Sequence, residues 1–287
     1  MTGKYAYHKF TGGRILIELL KSLLLGIVEG ITEWLPISST GHMILVNEFI
    51  GNEGFTSSDL YIYVIQLGAI LAVVTLYFHK LNPFSPKKTA AEKADTWQMW
   101  FKVIVACVPA GVIGLAFNDF MDKFENWYVV SATLILYGIA FLFIEKQGRK
   151  ATTTTIRGLS YKTALLIGAF QVLSIIPGTS RSGSTILGAM ILGCSRAVAA
   201  EFSFFLAIPV MFGVSFLKIV TNDVAMTGGD IAALLLGMAV AYVVSLAAIR
   251  FLMDYVKKHN FKAFGVYRII LGVVVILYFG IRALVKA

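Results

Sequence analysis

Two short polar runs hold most of the residues in this sequence that could do chemistry. The first extends from Glu29 to His42 and contains two carboxylates, several hydroxyl side chains and an imidazole. The second extends from Pro177 to Thr185 and places one guanidinium, Arg181, among hydroxyl residues and glycines. Both runs interrupt apolar stretches, where an ionisable group is costly and is functional by default. We therefore predict that the two runs face each other and hold a phosphate group.

Each run ends in hydroxyl residues that are typical N-caps of a following helix. Helix N-termini present free N–H groups and a positive dipole end, so two converging termini make an anion site. Arg181 would add a guanidinium that matches phosphate oxygens, and glycines would let the backbone approach the ligand. A phosphorylated or diphosphorylated lipid headgroup is the expected ligand. The predicted binding residues, besides Arg181, are Ser38, Thr40, Gly178, Thr179, Ser180 and Ser182.

Glu29 and Glu33 are four residues apart and would share one helix face pointing at the same site. Two carboxylates beside a phosphate repel it unless one is protonated or a divalent cation, Mg²⁺ or Ca²⁺, lies between them. Either arrangement serves chemistry, as general acid–base catalysis or as a bridge to phosphate oxygens. Ser39 or Ser38 could be a nucleophile activated by His42 or a glutamate, and His42 could instead attack phosphorus itself.

Structural roles are the competing interpretation. For Glu29, Glu33, His42 and Arg181 the alternative is structural ion pairing, and for isolated hydroxyls it is a bond to their own backbone. We expect Arg250 and Arg268, near helix ends, to extend towards the headgroups. Glu201 could reach the site or cap a helix.

The composition indicates a polytopic membrane protein. Of 287 residues, 57% are hydrophobic and only 14% are charged, whereas soluble domains carry about 25% charge. Hydropathy therefore excludes a soluble enzyme. The net charge of +9 comes from a few loops, and no nucleic-acid module is present, so no nucleic acid is expected as a partner. Cys107 and Cys194 lie in apolar segments and are expected to be buried small residues.

Six segments are long and apolar enough to cross a hydrocarbon core of about 30 Å. They cover approximately 60–79, 99–117, 127–145, 199–220, 231–253 and 264–284. Two further regions, 15–50 and 161–195, are apolar but broken in the middle. After each break only about ten apolar residues remain, roughly 15 Å of helix. Each broken region is therefore predicted to be a re-entrant helix pair, with its irregular backbone surrounded by protein.

Loop charges predict the orientation. The loops 80–98, 146–162 and 254–262 are rich in Lys and Arg, whereas 118–126 and 221–230 are acidic. By the positive-inside rule the basic loops are cytoplasmic and the acidic ones external. The basic N-terminal tail, which has no convincing signal-peptide cleavage site, would then lie outside, against this rule.

The two halves of the chain also resemble each other. The segment Leu23–Glu29 resembles Leu165–Gln171, and each leads to a proline followed by hydroxyl residues. One re-entrant pair and three spans, occurring twice, would give units at 15–145 and 161–284 within a single membrane domain, 1–287. These units would have opposite orientation. Such an inverted-topology repeat places its site near the membrane midplane.

The two polar runs resemble the motifs of a known family. Glu29-Gly-Ile-Thr-Glu-Trp-Leu-Pro-Ile-Ser-Ser-Thr-Gly-His42 looks like the first motif of the undecaprenyl-diphosphate phosphatases of the BacA type, and Pro177-Gly-Thr-Ser-Arg-Ser-Gly183 looks like the second. The resemblance covers essentially the full chain, including Glu201–Pro209. It implies a multi-pass enzyme of the bacterial inner membrane that converts undecaprenyl diphosphate to the monophosphate carrier lipid for peptidoglycan synthesis. Bacitracin resistance, dependence on a divalent cation and a site open to the periplasmic side are also implied.

By motif position, the family's glutamates fall on Glu29 and Glu33. Its serine, threonine and histidine fall on Ser39, Thr40 and His42, and its phosphate-binding pair falls on Ser180 and Arg181. We favour Ser39 as nucleophile over His42. The alternative function is a secondary transporter or flippase of a phosphorylated prenyl lipid, since inverted repeats with broken helices are also transporter architecture. A homodimer stays open.

Overall fold

The protein is helical throughout its described part. The computed structural model describes residues 12–51, 53–121, 124, 126–222 and 225–286. The α-helices in this part are α1 (Gly12–Thr32), α2 (Ser39–Ile50), α3 (Asp59–Leu76), α4 (Phe78–Leu81), α5 (Ala90–Met121), α6 (Trp127–Lys146), α7 (Tyr161–Val172), α8 (Arg181–Ile191), α9 (Arg196–Val220), α10 (Gly228–Lys258) and α11 (Lys262–Lys286). Short 3₁₀ turns occupy Phe55–Ser57 and Leu173–Ile175. Within these ranges the β-structure is limited to an isolated bridge between Thr153 and Cys194.

The prediction of an all-α polytopic membrane protein is confirmed. Six helices, α3, α5, α6, α9, α10 and α11, are long and apolar enough to cross a membrane, and each coincides with a predicted span. Both broken regions form a helix, a break and a second helix. Helices α2, α7 and α8 have 12, 12 and 11 residues, which is about 18 Å or less and too short to cross.

Helix α5 begins nine residues before the predicted start of its span, at Ala90 instead of residue 99. The reason is a capping box formed by Thr89 and Glu92. Glu92 Oε2 accepts hydrogen bonds from the Thr89 amide at 2.7 Å and the Thr89 hydroxyl at 2.9 Å, and the Glu92 amide donates back to Thr89 Oγ1 at 3.3 Å. This pairing satisfies first-turn donors, so the helix extends into the polar segment preceding the membrane.

Close helix contacts follow one pattern in both halves of the chain. Helix α1 packs on α10, and the corresponding helix α7 packs on α5. A Cβ atom added at Gly26 would lie 2.8 Å from the Gly237 carbonyl oxygen, and one added at Gly168 would lie 2.1 Å from the Ala106 carbonyl oxygen. Helix α3 also packs extensively on α10, and the other large contacts pair α3 with α9 and α6 with α11. Small residues therefore let these helices approach backbone to backbone.

The main apolar core includes Trp34, Leu35 and Ile37 of the first break, and Gly178 and Thr179 of the second break are also buried. Trp34 is fully buried and packs edge-on against Phe204 with ring centroids 5.4 Å apart. The adjoining face of α9 adds Phe202 and Phe205, both fully buried. The backbone of both breaks therefore lies against protein. The predicted basic tail up to Thr11 and the loop residues Asp122, Lys123, Glu125 and Asp223 lie outside the described residues.

Candidate functional site

A serine with an unusual backbone conformation precedes the second helix of each broken region. Ser38 has φ 75° and Ser180 has φ 72°, and they alone among described non-glycine residues have positive φ. Each is an N-cap: Ser38 Oγ accepts from the Gly41 amide at 3.3 Å, and Ser180 Oγ accepts from the Gly183 amide at 3.1 Å. A non-glycine residue in this region costs about 1–3 kcal/mol, and such residues cluster at functional sites.

The two breaks meet at Glu33. Its Oε1 accepts a hydrogen bond from Arg181 Nη2 at 2.9 Å, and its Oε2 accepts one from Ser39 Oγ, also at 2.9 Å. The side chains of Glu33 and Arg181 are each 10% exposed, so this ion pair is largely desolvated. A carboxylate that accepts from a hydroxyl can take its proton, so this geometry suits activation of Ser39 as a nucleophile.

Arg181 is held in place from three sides. Besides Glu33, its Nη1 donates to the Ser203 carbonyl of α9 at 2.9 Å, and its guanidinium lies 5.8 Å from the centre of the Trp34 ring. Its Nε is buried and has no hydrogen-bond partner among the described residues. A guanidinium with a free donor beside a hydroxyl nucleophile can bind a phosphate oxygen. Ser203 was not among the predicted site residues.

Glu29 lies one helical turn before Glu33 on α1 and is 1% exposed. Its Oε1 is buried without a hydrogen-bond partner in the described structure. An orphaned carboxylate oxygen beside a second carboxylate suits a hard divalent cation, whose remaining ligands can come from phosphate and water. The donor set therefore fits Mg²⁺ or Ca²⁺. The described residues contain no group of three or more His, Cys, Asp or Glu side chains, so the protein alone would not hold the metal and the phosphate and water ligands are needed.

His42 has both ring nitrogens occupied. Nδ1 lies 2.7 Å from the Ser38 carbonyl oxygen and Nε2 lies 2.6 Å from the Tyr267 hydroxyl, while the two rings stack at 5.6 Å. Since a carbonyl only accepts, Nδ1 carries the proton and, in the neutral ring, Nε2 accepts from Tyr267. In this state the imidazole braces the first break and makes no hydrogen bond to Ser39 in the described part of the chain.

The position of Arg268 on α11 contradicts one prediction. It was expected to extend towards the headgroups but is fully buried. Its Nη1 donates to the Pro36 carbonyl at 3.2 Å, and its Nη2 donates at 3.0 Å to each of the Gly178 and Thr179 carbonyls. The expectation was wrong because the guanidinium finds carbonyls of both breaks within the membrane domain. Arg268 therefore ties the two breaks together.

The remaining predicted binding residues differ in what their side chains contact. Ser182 is buried and donates to the Glu33 carbonyl at 3.0 Å, so it links the breaks. Thr179 is buried and bonds the carbonyls of Leu173 and Ile176 in its own turn. Thr40 is half-buried in the first turn of α2. Gly178 has φ 86°, and a Cβ there would lie 2.3 Å from Thr133 Oγ1.

Three contributors were missed by the sequence analysis, namely Ser203, Tyr267 and Arg268. Isolated polar residues such as Ser203 and Tyr267 are common in membrane spans, so neither stands out in the sequence. Ser203 moreover acts through its backbone carbonyl, a group that every residue has. Only Arg268 gave a signal, because an ionisable residue inside an apolar segment is functional by default. Glu201, left open before, forms an ion pair with Lys80.

Comparison with known proteins identifies the family. The family model described as bacitracin resistance protein BacA matches residues 22–274. A protein of Enterococcus faecalis named undecaprenyl-diphosphatase is 56% identical over 271 residues, covering 92% of this chain and 98% of its own. Proteins of the same name from Lactiplantibacillus plantarum and Desulfitobacterium hafniense are 55% and 54% identical, over 92% and 94% of this chain and 98% and 99% of their own. With a matching family model over most of its length and such relatives, this chain belongs to the BacA family.

Proposed function

We propose that this protein hydrolyses the terminal phosphate of undecaprenyl diphosphate, giving undecaprenyl phosphate and inorganic phosphate. The carrier lipid is thereby returned to cell-wall synthesis. Membership of the BacA family and relatives that share more than half of their residues with it and bear the name undecaprenyl-diphosphatase support this function. The protein is a multi-pass membrane protein by its six apolar helices, which suits a substrate with a long prenyl tail.

The observation that carries the proposal is the set of hydrogen bonds centred on Glu33. It joins a hydroxyl from the first break to a guanidinium from the second, in a largely desolvated position. A protein that only binds a phosphorylated lipid needs the Arg181 guanidinium. It has no need of a carboxylate that accepts a hydrogen bond from a serine hydroxyl. This pairing favours hydrolysis over transport.

In the proposed reaction Ser39 Oγ attacks the terminal phosphorus in line with the bond to the bridging oxygen. Glu33 Oε2 takes the hydroxyl proton as the new O–P bond forms. The bond from phosphorus to the bridging oxygen breaks, and undecaprenyl phosphate leaves with the electron pair. Glu33 then passes its proton to the bridging oxygen of the departing phosphate and is again a carboxylate. Water attacks the phosphoserine while Glu33 takes the water proton. The bond from Ser39 Oγ to phosphorus breaks, Glu33 returns the proton to Oγ, and inorganic phosphate is released. The hydrogen bond from Ser39 to Glu33 supports this assignment over attack by His42, whose nitrogens are both engaged.

We assign stabilisation of the developing negative charge to Arg181 and to the N-termini of helices α2 and α8. The developing charge on the phosphate oxygens would be met by the guanidinium and by first-turn amides of α2 and α8. Preorganised donors of this kind each contribute about 10²–10³-fold to rate. Glu29, with Glu33, would hold a divalent cation, and that cation when bound would neutralise phosphate charge.

We also propose that the membrane domain is an inverted repeat of units 15–145 and 161–284. Exchanging the halves turns the α1–α10 contact into the α7–α5 contact and leaves α3–α9 and α6–α11 unchanged, which supports a two-fold relation. The α3–α10 contact likewise has a counterpart between α9 and α5, although that one is smaller. The short helices α2, α7 and α8 support re-entrant pairs, although α1, before the first break, has 21 residues. We further predict, from the loop charges and the family, that the protein lies in the inner membrane with its site open to the periplasmic side.

Phosphate release from a C55 or C15 prenyl diphosphate tests the function. The purified wild type is compared with Ser39→Ala, His42→Ala and Arg181→Ala, with and without EDTA. Arg157→Ala is the matched control, because Arg157 lies in the loop between α6 and α7. We expect Ser39→Ala to be inactive, Arg181→Ala to lose about 10²–10³-fold, and EDTA to lower the rate. Arg157→Ala should match the wild type.

Binding of the lipid by wild type without phosphate release, across a range of cations, would contradict the enzyme and make the transporter the working hypothesis. Full activity of Ser39→Ala would remove the serine as nucleophile while leaving the phosphatase intact.

A further inference from the structure

A polar cavity lies away from both breaks, at the end of the molecule that carries the basic loops. Its volume is about 490 Å³. It is formed by the end of α6 and the loop after it, the turn between α8 and α9, the start of α9 and the end of α10. None of its lining residues belongs to either polar run, so it is separate from the site described above.

The lining of this cavity is strongly basic. Arg149, Lys150, Arg196 and Lys257 line it, and Glu145 is the one carboxylate among the lining residues. Arg149 and Lys150 are exposed and form no ion pair with any described residue. Lys257 pairs with Asp254 one turn back, an exposed contact of little energetic weight. The cavity therefore presents positive charge that the protein does not neutralise.

Glu145 is already fully engaged and does not offset this charge. Its side chain is 2% exposed. Oε1 accepts from Arg196 Nε at 2.8 Å and from the Phe261 amide at 2.9 Å, while Oε2 accepts from Arg196 Nη2. Arg196 is thereby locked in position, and its Nη1 makes no hydrogen bond to the described residues. A fixed guanidinium with one free amino group is preorganised for an anion.

The backbone around the cavity is also fixed. The amides of Thr152 and Thr153 donate to the Gly193 carbonyl at 2.9 and 3.0 Å, and the Ser195 amide donates to the Thr153 carbonyl at 2.8 Å. These bonds pin the loop after α6 to the turn before α9. The 25-residue helix α9 begins at Arg196, so its positive dipole end opens into the cavity. This arrangement is a built concavity and not a set of independent surface lysines.

Helix-dipole compensation accounts for part of this charge. Lys257 lies in the last turn of α10, where a cation is favourable in any case. Arg149 and Lys150 lie beyond the last residue of α6, Lys146, and Arg196 lies at a helix start, where a cation is unfavourable. Arg196 is instead explained by its ion pair with Glu145, whereas neither the dipole nor an ion pair compensates Arg149 and Lys150, so these two residues are left to an anionic ligand.

We propose that this cavity binds the phosphate headgroup of an anionic membrane lipid. Free phosphate shares the chemistry, but apolar side chains of Ile144, Met190 and Val256 also line the cavity and suit the glycerol and first methylenes of a lipid. Basic pockets between spans on the cytoplasmic side bind anionic headgroups in this way. The site is independent of the proposed phosphatase chemistry.

Native mass spectrometry of the purified full-length protein tests the proposal. Phosphatidylglycerol and cardiolipin are titrated against phosphatidylcholine, and inorganic phosphate is titrated separately. The double variant Arg149→Gln/Lys150→Gln is compared with Lys87→Gln/Lys162→Gln, which removes the same charge from exposed positions that do not line the cavity. We expect the first variant to weaken the binding of one anionic lipid molecule per protein by about 10-fold. The control variant should bind like wild type, and phosphate release should be unchanged in both variants.

Equal loss in both double variants would reduce the effect to net charge and overturn the site. Unchanged lipid binding in Arg149→Gln/Lys150→Gln would overturn it as well. Loss of inorganic phosphate binding in that variant, without any change in lipid binding, would overturn the lipid headgroup as the occupant.

Discussion

At the scale of single residues, the candidate site depends on side chains that serve both halves of the chain. Glu33 contacts Ser39 on its own side and Arg181 from the other, while Arg268 bonds carbonyls of both breaks. A substitution at either residue therefore disturbs two segments distant in sequence. Chemistry and assembly at this site can be separated only by variants that keep one hydrogen bond and remove another.

His42→Asn separates bracing from nucleophilic attack. The asparagine amide can still donate to the Ser38 carbonyl, but it lacks the nitrogen that could attack phosphorus. With Ser39 as nucleophile, we expect phosphate release within about 10-fold of wild type, whereas His42→Ala, which loses the brace, should be slower. The measurement is kcat for a prenyl diphosphate. Abolished activity in both variants, with an unchanged melting temperature, would instead favour His42 as the attacking residue.

Arg268→Ala should be strongly destabilising. It leaves three buried carbonyls without their donor, and each buried acceptor left unsatisfied costs about 1–3 kcal/mol. We expect a clearly lower melting temperature in detergent and loss of phosphate release. Arg250→Ala, an exposed arginine on α10, is the control and should stay within about 0.5 kcal/mol of wild type. Equal melting temperatures for the two variants would show that Arg268 does not hold the breaks.

The sequence predicted residues such as Glu29, Glu33 and Arg181 because ionisable groups are rare inside apolar segments, so each one stands out. It could not predict the role of Arg268, since six residues from a helix start an arginine can extend to the headgroups or fold inwards. Only tertiary packing decides between these. The partners Tyr267 and Ser203 were unpredictable for a related reason: they act through contacts between helices that no local pattern encodes.

At the scale of helices, backbone approach at glycines fixes how the broken regions sit against their neighbours. Gly168 meets Ala106 on α5, and Gly26 meets Gly237 on α10, at corresponding places in the two halves. The spans themselves were predictable to within a few residues from hydropathy, apart from the early start of α5. Which span packs on which was not, because every span has a similar apolar composition.

Gly168→Ala tests this close approach. The added Cβ would lie 2.1 Å from a backbone carbonyl oxygen, so the helices must move apart, at a cost of about 1–3 kcal/mol. Gly111→Ala is the matched control, since nothing lies within 4 Å of its added Cβ. We expect a lower melting temperature for Gly168→Ala and an equal or slightly higher one for Gly111→Ala. Equal shifts would mean that helix propensity outweighs packing.

At the scale of the whole molecule, the basic loops lie at one end and carry the cavity lined by Arg149 and Lys150. Loop charge is the observation that orients the chain in the membrane. The acidic connections are described only in part, but Met226, exposed before α10, lies in one of them. The orientation can therefore be measured by labelling one position in a basic loop and one in an acidic connection.

Single cysteines at these positions test the orientation. In a Cys107→Ala/Cys194→Ala background, Met226→Cys should react with a membrane-impermeant maleimide in intact spheroplasts. Lys150→Cys should react only after permeabilisation, because the basic loops are expected in the cytoplasm. The reverse labelling pattern would invert the proposed topology, and labelling of both in intact spheroplasts would indicate dual insertion.

The buried Arg268 also constrains how the protein is made. An arginine costs at most about 2.5–3.5 kcal/mol on the translocon insertion scale, the value for a helix centre, and Arg268 lies nearer the start of α11. Its compensating carbonyls belong to segments synthesised much earlier. Helix α11 is apolar enough to span the bilayer by itself, but its guanidinium gains its carbonyl partners only once both breaks are in place. Ribosomal synthesis of the last span would then be the step that completes the site, and a nascent chain released before it would be catalytically silent.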